Sequence, residues 1–327
     1  MHAQTEHSDS LIWQPEITHN TWVSNTINVF ERYTRGYGDA IMLRPAIIGH
    51  IKKYPHERHI LHIMDCVAGI FEDIEGLEIV PLHGSSSNIR INYSEQKIRQ
   101  YKNPIVFKLS DCDARYEMDH IDNLIKSRQE IYCDVVGVKF SKNNYNIKFT
   151  NEETQRALDF IDGRDCIGVH LKGAEKWRDY LYVNIKKGQL KMWNVVDRLA
   201  KKYDRYVVTF DNHLQYKGSR KNVLSFISNN VRDTLAVMSL CKAGIGPDSF
   251  GVHGFGACGV PVYGMFGPTN PAVRLKYYNA FWCPRGDCEY QYCWYKYTQC
   301  KNGIGCLNAR TSKFYVDDFF EKLGVLL

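Results

Sequence analysis

Residues 247–271 read PDSFGVHGFGACGVPVYGMFGPTNP. Four glycines, at 251, 254, 256 and 259, fall between two apolar runs. A glycine inside a helix costs about 1 kcal/mol relative to alanine, so the segment needs a close backbone approach somewhere. "AGIG" (243–246) reads as a strand and "VPVYGMFG" (260–267) as the next one. Between them the spacing predicts a short helix over about 250–258, stopped at Gly259. Asp248 and Ser249 stand at its entrance, where side-chain oxygens can cap free N–H groups. In a parallel sheet that helix N-terminus and the "GPT" turn at 267–269 share one edge, beyond the carboxyl ends of the strands, where ligands bind. Free N–H groups and the helix dipole make such an end an anion site. The glycines admit a phosphate or let a small-residue helix pack tightly on the sheet, and composition leaves both open.

Working outward, strands alternate with helices on both sides. "INVFER" (27–32), "RHILHIM" (58–64), "LEIVPL" (77–82) and "NPIVFKL" (103–109) read as strands. The glycine turn "RGYGDA" opens a helix, in which Pro45 should produce a kink or a second start. Residues 116–138 read as mostly helical. A second series follows: helix "EETQRALDFI", strand "CIGVHL" (166–171), helix at 189–203, strands "RYVVTF" (205–210) and "NVLSFI", and helix "VRDTLAVMSLCK". Such alternation predicts an α/β protein of two doubly wound parallel-sheet domains. The expected divisions are an extension over 1–25, a first domain over 26–160 and a second over 161–327, with a cysteine-rich segment at 283–306.

The bulk numbers narrow the function classes. With 327 residues, 44% apolar and 24% charged, the chain suits a large globular protein. A net charge of +6 is spread rather than clustered, which argues against a nucleic-acid footprint. No apolar run reaches membrane-spanning length, and the N-terminal stretch lacks the charge and apolar core of a signal peptide. The expectation is a cytoplasmic protein with no transmembrane segment. Its eleven cysteines then point to thiols or a metal site rather than disulfides. Cys283, Cys288, Cys293, Cys300 and Cys306 cluster, and four thiolates suit a structural zinc or iron. The plain alternative is reduced thiols in an aromatic-rich excursion.

Residues 244–274 resemble the heptosyltransferase family, glycosyltransferase family nine. Asp248, Ser249, His253, Gly259, Pro261, Phe266, Gly267, Pro268, Thr269 and Pro271 follow its pattern in order and spacing, while Phe250 stands where the family has glycine. "NVFERYTRGYGDAIMLRPAI" (28–47) resembles the family's opening strand, Gly-Asp turn and Pro-containing helix. Lys176-Trp177 looks like its lysine–tryptophan loop, and "CLNARTSKFYVDDFFEKL" (306–323) is similar to its terminal segment. The resemblance touches 27–327 and is sparse between 80 and 150. It implies a GT-B architecture, with two Rossmann-like domains facing a cleft. It also implies inverting sugar transfer from a nucleotide diphosphate donor, best known as ADP-heptose, with no cofactor required for catalysis.

On that resemblance Asp39 is the base that takes the acceptor proton, where the plain alternative is a helix cap. Lys176 offsets charge on the departing diphosphate, with Lys172 competing. Asp248 faces sugar hydroxyls, since a carboxylate beside a diphosphate would be repelled. Ser249, Gly251, His253 and Thr269 complete the donor side, although His253 reads equally well as a core histidine. Arg35 is placed toward acceptor or phosphate. Asp211 and Asp233 are the candidates for the ribose. The acceptor is lipopolysaccharide core, another glycan or a protein. Two alternatives stay open: a non-catalytic nucleotide-sugar-binding or assembly subunit, and a nucleotide-sugar epimerase.

Overall fold

The structure is a computed structural model describing residues 25–33, 35–84, 86–145, 147–170, 185–203, 205–211, 216, 218–283, 293 and 312–324; the side chains of 185–192 and 312 are not described. Two parallel sheets carry it. The first contains β1 (Ile27–Arg32), β2 (Arg58–Met64), β3 (Leu77–Leu82) and β4 (Ile105–Lys108) in the order β3-β2-β1-β4. The second contains β5 (Cys166–His170), β6 (Tyr206–Phe210), β7 (Val223–Phe226), β8 (Ala243–Pro247), β9 (Val262–Met265) and β10 (Ala280–Trp282) in the order β10-β9-β8-β5-β6-β7. Each sheet grows one way from its first strand and then crosses to the other side. The reversal points are β1/β4 and β5/β8, and crevices at such points are where open α/β sheets bind ligands.

Helices cover these sheets. In the first half they are α1 (Tyr37–Lys53), α2 (Asp65–Ala68), α3 (Ser87–Ile98), α4 (Cys112–Asp119) and α5 (Arg128–Val135). α6 (Asn151–Ile161), α7 (Ile185–Lys202), α8 (Val231–Ser239), α9 (Phe250–Ala257), α10 (Pro271–Arg274) and α11 (Ser312–Leu323) follow. α1 continues through Pro45 without a second start. The stretch expected to be mostly helical divides into α4 and α5, because a capping box begins a new helix at Ser127. Glu130 N donates to Ser127 Oγ at 3.3 Å, and Ser127 N donates to Glu130 Oε2 at 2.7 Å.

The glycines of the opening segment have packing reasons. A methyl on Gly254 would meet Met238 Sδ at 2.9 Å, and one on Gly256 would meet the Tyr278 ring at 2.4 Å. Gly259 ends α9 at φ +79, a conformation that disfavours side chains. Across the sheet, Phe255 fills the space that Gly168 and Gly244 leave open on β5 and β8. α9 thus lies close on the reversal point of the second sheet.

The halves are also locked together away from the cleft. Arg232, buried at the start of α8, donates to Glu153 of α6 (Nη2–Oε2 2.8 Å) and to Lys148 O at 2.6 Å, and lies 3.3 Å from Asp73, beyond β2.

Candidate functional site

The two reversal points face each other across a cavity of about 410 Å³. On the first side the chain leaves β1 through Gly36 and Gly38 into α1, and Asp39 lies in that helix's first turn. Gly36 is the N-cap and makes no side-chain cap bond. A Cβ there would come 2.7 Å from Asp39 Oδ2, so the bare backbone leaves room for the carboxylate. Asp39 is no simple helix cap: it accepts a short bond from Arg128 Nη1 and lies 3.6 Å from Arg32 Nη2.

α4, after β4, brings Asp113 and Glu117 to the same place. Arg128 Nη1 lies 3.1 Å from Asp113, and its Nε donates to Glu117 Oε1 at 2.8 Å. Burial alone would raise the Asp39 carboxyl, but Arg128, Arg32 and Arg274 outweigh it and hold it well below the usual carboxylate range.

On the second side, β5 ends at His170 and β8 runs into Asp248 and α9. Asp248 accepts from Thr269 Oγ1 at 2.5 Å and lies 3.7 Å from His253 Nε2. Burial would raise this carboxyl too, but His253, Arg274 and Thr269 hold it low. Ser249 is the N-cap of α9 without a side-chain cap bond. Asn270, which accepts from Ala272 N at 3.0 Å, starts α10 and so places Arg274 against the cleft.

The sides meet closely. Gly38 backs onto His253: a methyl added at Gly38 would lie 2.8 Å from the ring's Cδ2. The Tyr37 and Phe250 rings are 5.4 Å apart. Met42, Phe210, Phe226 and Val231 line an apolar arm of the cavity, with Ser228, Asn229, Thr234 and Asp211 beside them.

Of the residues expected from sequence, Asp39, Asp248, Ser249, His253 and Arg35 line this one cavity. Arg35 is exposed and donates to Gly84 O at 3.2 Å. Thr269 is buried and acts on the cavity through Asp248. Gly251 is not among the lining residues; its Cα faces the His170 side chain, so its bare backbone makes room for protein. Asp211 lines the cavity, whereas Asp233 accepts from Arg156 Nη2 at 2.6 Å and lies outside the lining. Lys176 and Lys172 lie outside the described residues, as do Cys288, Cys300 and Cys306. Cys283 is half-buried and Cys293 buried. Among the described residues no group of three or more His, Cys, Asp or Glu side chains is arranged to hold a metal, and no helix is long and apolar enough to cross a membrane.

Sequence reading missed Arg128, Glu117, Arg274 and His170. His170 carried a signal, since it lies one residue before the end of the strand expected over 166–171. Arg274 follows the "GPTNP" turn by three residues. Arg128 and Glu117 carried none.

No protein-family model matches the chain, and no curated protein does. Solved structures do. The chain is similar to a glycosyltransferase family 9 protein from Veillonella parvula, with 17% identity, a TM-score of 0.63 and coverage of 92% of this chain and 96% of that one. It is similar to the ADP-heptose LPS heptosyltransferase II of E. coli, with 13% identity, a TM-score of 0.58 and coverage of 92% and 98%. It is also similar to TibC, an iron-containing dodecameric glycosyltransferase of enterotoxigenic E. coli, with 11% identity, a TM-score of 0.60 and coverage of 91% and 76%. What the chain shares with these proteins is the fold: two parallel α/β sheets facing across a cleft, the GT-B arrangement.

Proposed function

We propose that the protein is an inverting glycosyltransferase that moves a sugar from a nucleoside-diphosphate donor to an acceptor hydroxyl. The observation that carries this reading is the convergence of Asp39 and the Asp248–α9 end on one cavity from facing reversal points. The donor lies on the second sheet, with its diphosphate toward the N-terminus of α9 and its sugar toward Asp248. The acceptor enters over the first sheet. Its oxygen attacks the anomeric carbon from the face opposite the diphosphate while Asp39 takes its proton. The new C–O bond forms as the old one breaks, and that electron pair leaves with the diphosphate. Arg274, the helix end and Lys176 meet the growing charge, so this reading needs no catalytic metal.

The finer reading takes ADP-heptose as donor and a glycan, lipopolysaccharide core or protein hydroxyl as acceptor. Its support is the fold shared with an ADP-heptose LPS heptosyltransferase and with TibC, a heptosyltransferase solved in complex with ADP-heptose. The arginines keep Asp39 ionised and aimed, at a cost in basicity.

The test incubates wild type and Asp39→Asn with ADP-, GDP-, UDP-, dTDP- and CMP-sugars, with and without cell glycan extract, and follows products by mass spectrometry. Transfer should need Asp39 and fall roughly 10²- to 10⁴-fold without it. Donor binding with no turnover in either protein would favour a binding subunit instead.

We also propose that the cysteine segment holds a structural zinc or iron. The described pair, Cys283 and Cys293, fits in burial and donor chemistry, thiolates being soft ligands. Less than one equivalent of zinc plus iron in purified protein would remove this proposal.

A further inference from the structure

One side chain joins the two halves of the site. Glu117 is 3% exposed, and it accepts from both arginines that flank the cavity. From the first half, Arg128 donates through Nε at 2.8 Å and Nη2 at 3.1 Å. From the second, Arg274 donates through Nη1 and, at 2.9 Å, through Nη2. Arg128 also holds Asp39 and Asp113, and the charge of Arg274 also faces Asp248. A run of charged groups therefore crosses the site from Asp39 through Arg128, Glu117 and Arg274 to Asp248.

Glu117 is shared between two competing cations, and both of them line the cavity. An anion arriving beside Asp248 and α9 draws the Arg274 guanidinium toward itself. Glu117 then pairs more fully with Arg128. That pairing draws Arg128 away from Asp39, whose carboxylate becomes freer to accept a proton. The coupling needs no large movement, because each partner already touches the next.

Resting on the function proposed above, we infer that Glu117 is a positioning residue that senses an anion at Arg274 and passes its arrival through Arg128 to Asp39. A nucleoside diphosphate is the anion the cavity would take. The base is then restrained in the empty site and released when the donor is bound.

The sign of the effect separates this role from a merely structural one. Removing the Glu117 charge frees Arg274 for the diphosphate, so nucleotide affinity should rise. The same change removes the signal to Asp39, so turnover should fall. Glu117→Gln leaves three carboxylates (Asp39, Asp113 and Asp248) facing three arginines (Arg32, Arg128 and Arg274), so each buried cation keeps an anion.

The experiment measures calorimetric binding of ADP, GDP, UDP and dTDP to the full chain, with kcat for sugar transfer. For the nucleotide that binds wild type best, Glu117→Gln should tighten Kd about tenfold and lower kcat at least tenfold. Glu117→Asp, which keeps the charge but shortens the reach, should show the same split in smaller measure, and it serves if the first variant does not fold. Unchanged or weaker nucleotide binding, or unchanged kcat, overturns the inference while leaving the transferase reading in place. If no nucleoside diphosphate binds wild type, both fall together.

Discussion

Gly251→Ala tests whether the glycine-rich helix serves protein packing or ligand contact. The added methyl would sit 2.1 Å from His170 Cβ and 2.4 Å from its Cγ. The nearer atom is anchored to the last residue of β5 and cannot swing aside. Ordinary van der Waals contact begins about 1.3 Å further out, so the start of α9 or the end of β5 must move by that much. Such overpacking costs ~1–3 kcal/mol, and the better helix propensity of alanine returns about 1 kcal/mol. The net loss of up to about 2 kcal/mol corresponds to a fall of roughly 4–8 °C in Tm. Both displaced elements line the cavity where the proposed donor would bind, so nucleoside-diphosphate affinity should fall with stability. Gly256→Ala clashes instead with Tyr278 at the far end of the helix and should lower stability while sparing affinity. Circular-dichroism melting and nucleotide titration read both quantities. If Gly251→Ala melts at or above wild type and loses only nucleotide affinity, the glycine contacts ligand and the packing argument is wrong.

Further expectations concern buried charge. Burial pushes His50, His62 and His170 down to about 4. The unfolded chain therefore binds protons that the folded one does not between pH 6.5 and about 4, and stability should fall as pH drops through that window, by up to about 1.4 kcal/mol per pH unit for each histidine. Urea midpoints that stay level from pH 7 to 5 would contradict this. His170 Nδ1 is sealed without a partner among the described residues, so its proton belongs on Nε2. Nitrogen-15 spectra should show that tautomer with no titration above pH 5, and a midpoint near 6.5 would refute the reading. Arg232→Met should cost about 3–5 kcal/mol by leaving Glu153 buried without its cation, while Asp73 keeps Arg44 at 2.8 Å. A urea-denaturation loss under 1 kcal/mol would show the latch to be dispensable.

The fold was legible wherever local chemistry dictated it. Strands such as Ile27–Arg32, Arg58–Met64 and Leu77–Leu82 fall where β-branched and apolar runs meet turn residues. α3 escaped notice because it is largely exposed and carries few apolar residues at helical spacing. The break between α4 and α5 depends on a reciprocal Ser127–Glu130 bond, which is a three-residue signal inside an otherwise helix-friendly stretch. Pro45 did not restart α1. Its carbonyl accepts from Asn144 Nδ2 at 3.4 Å, so the helix around it is held by a later segment that the local sequence does not announce.

The site divides along the same line. Asp39, Asp248 and His253 were legible because a glycine turn, a strand end and a helix start mark carboxyl edges locally, and the topology then brings those edges together. The partners that set their chemistry were not. Asp39 meets Arg128 across 89 residues, and Glu117 meets Arg274 across 157. An arginine in a helix reads as a solvated charge until the fold buries it, and nothing nearby in sequence distinguishes Arg128 from an exposed helical arginine such as Arg156. That blindness bears on mechanism. Read alone, Asp39 is a free carboxylate ready to act as a base. In its setting it is a restrained one, and on the mechanism proposed above its reactivity depends on what loosens Arg128. Since the tether from Arg128 leads through Glu117 to Arg274, the proposed mechanism implies a donor-first order: an acceptor arriving before the donor would meet a carboxylate still held by its arginines.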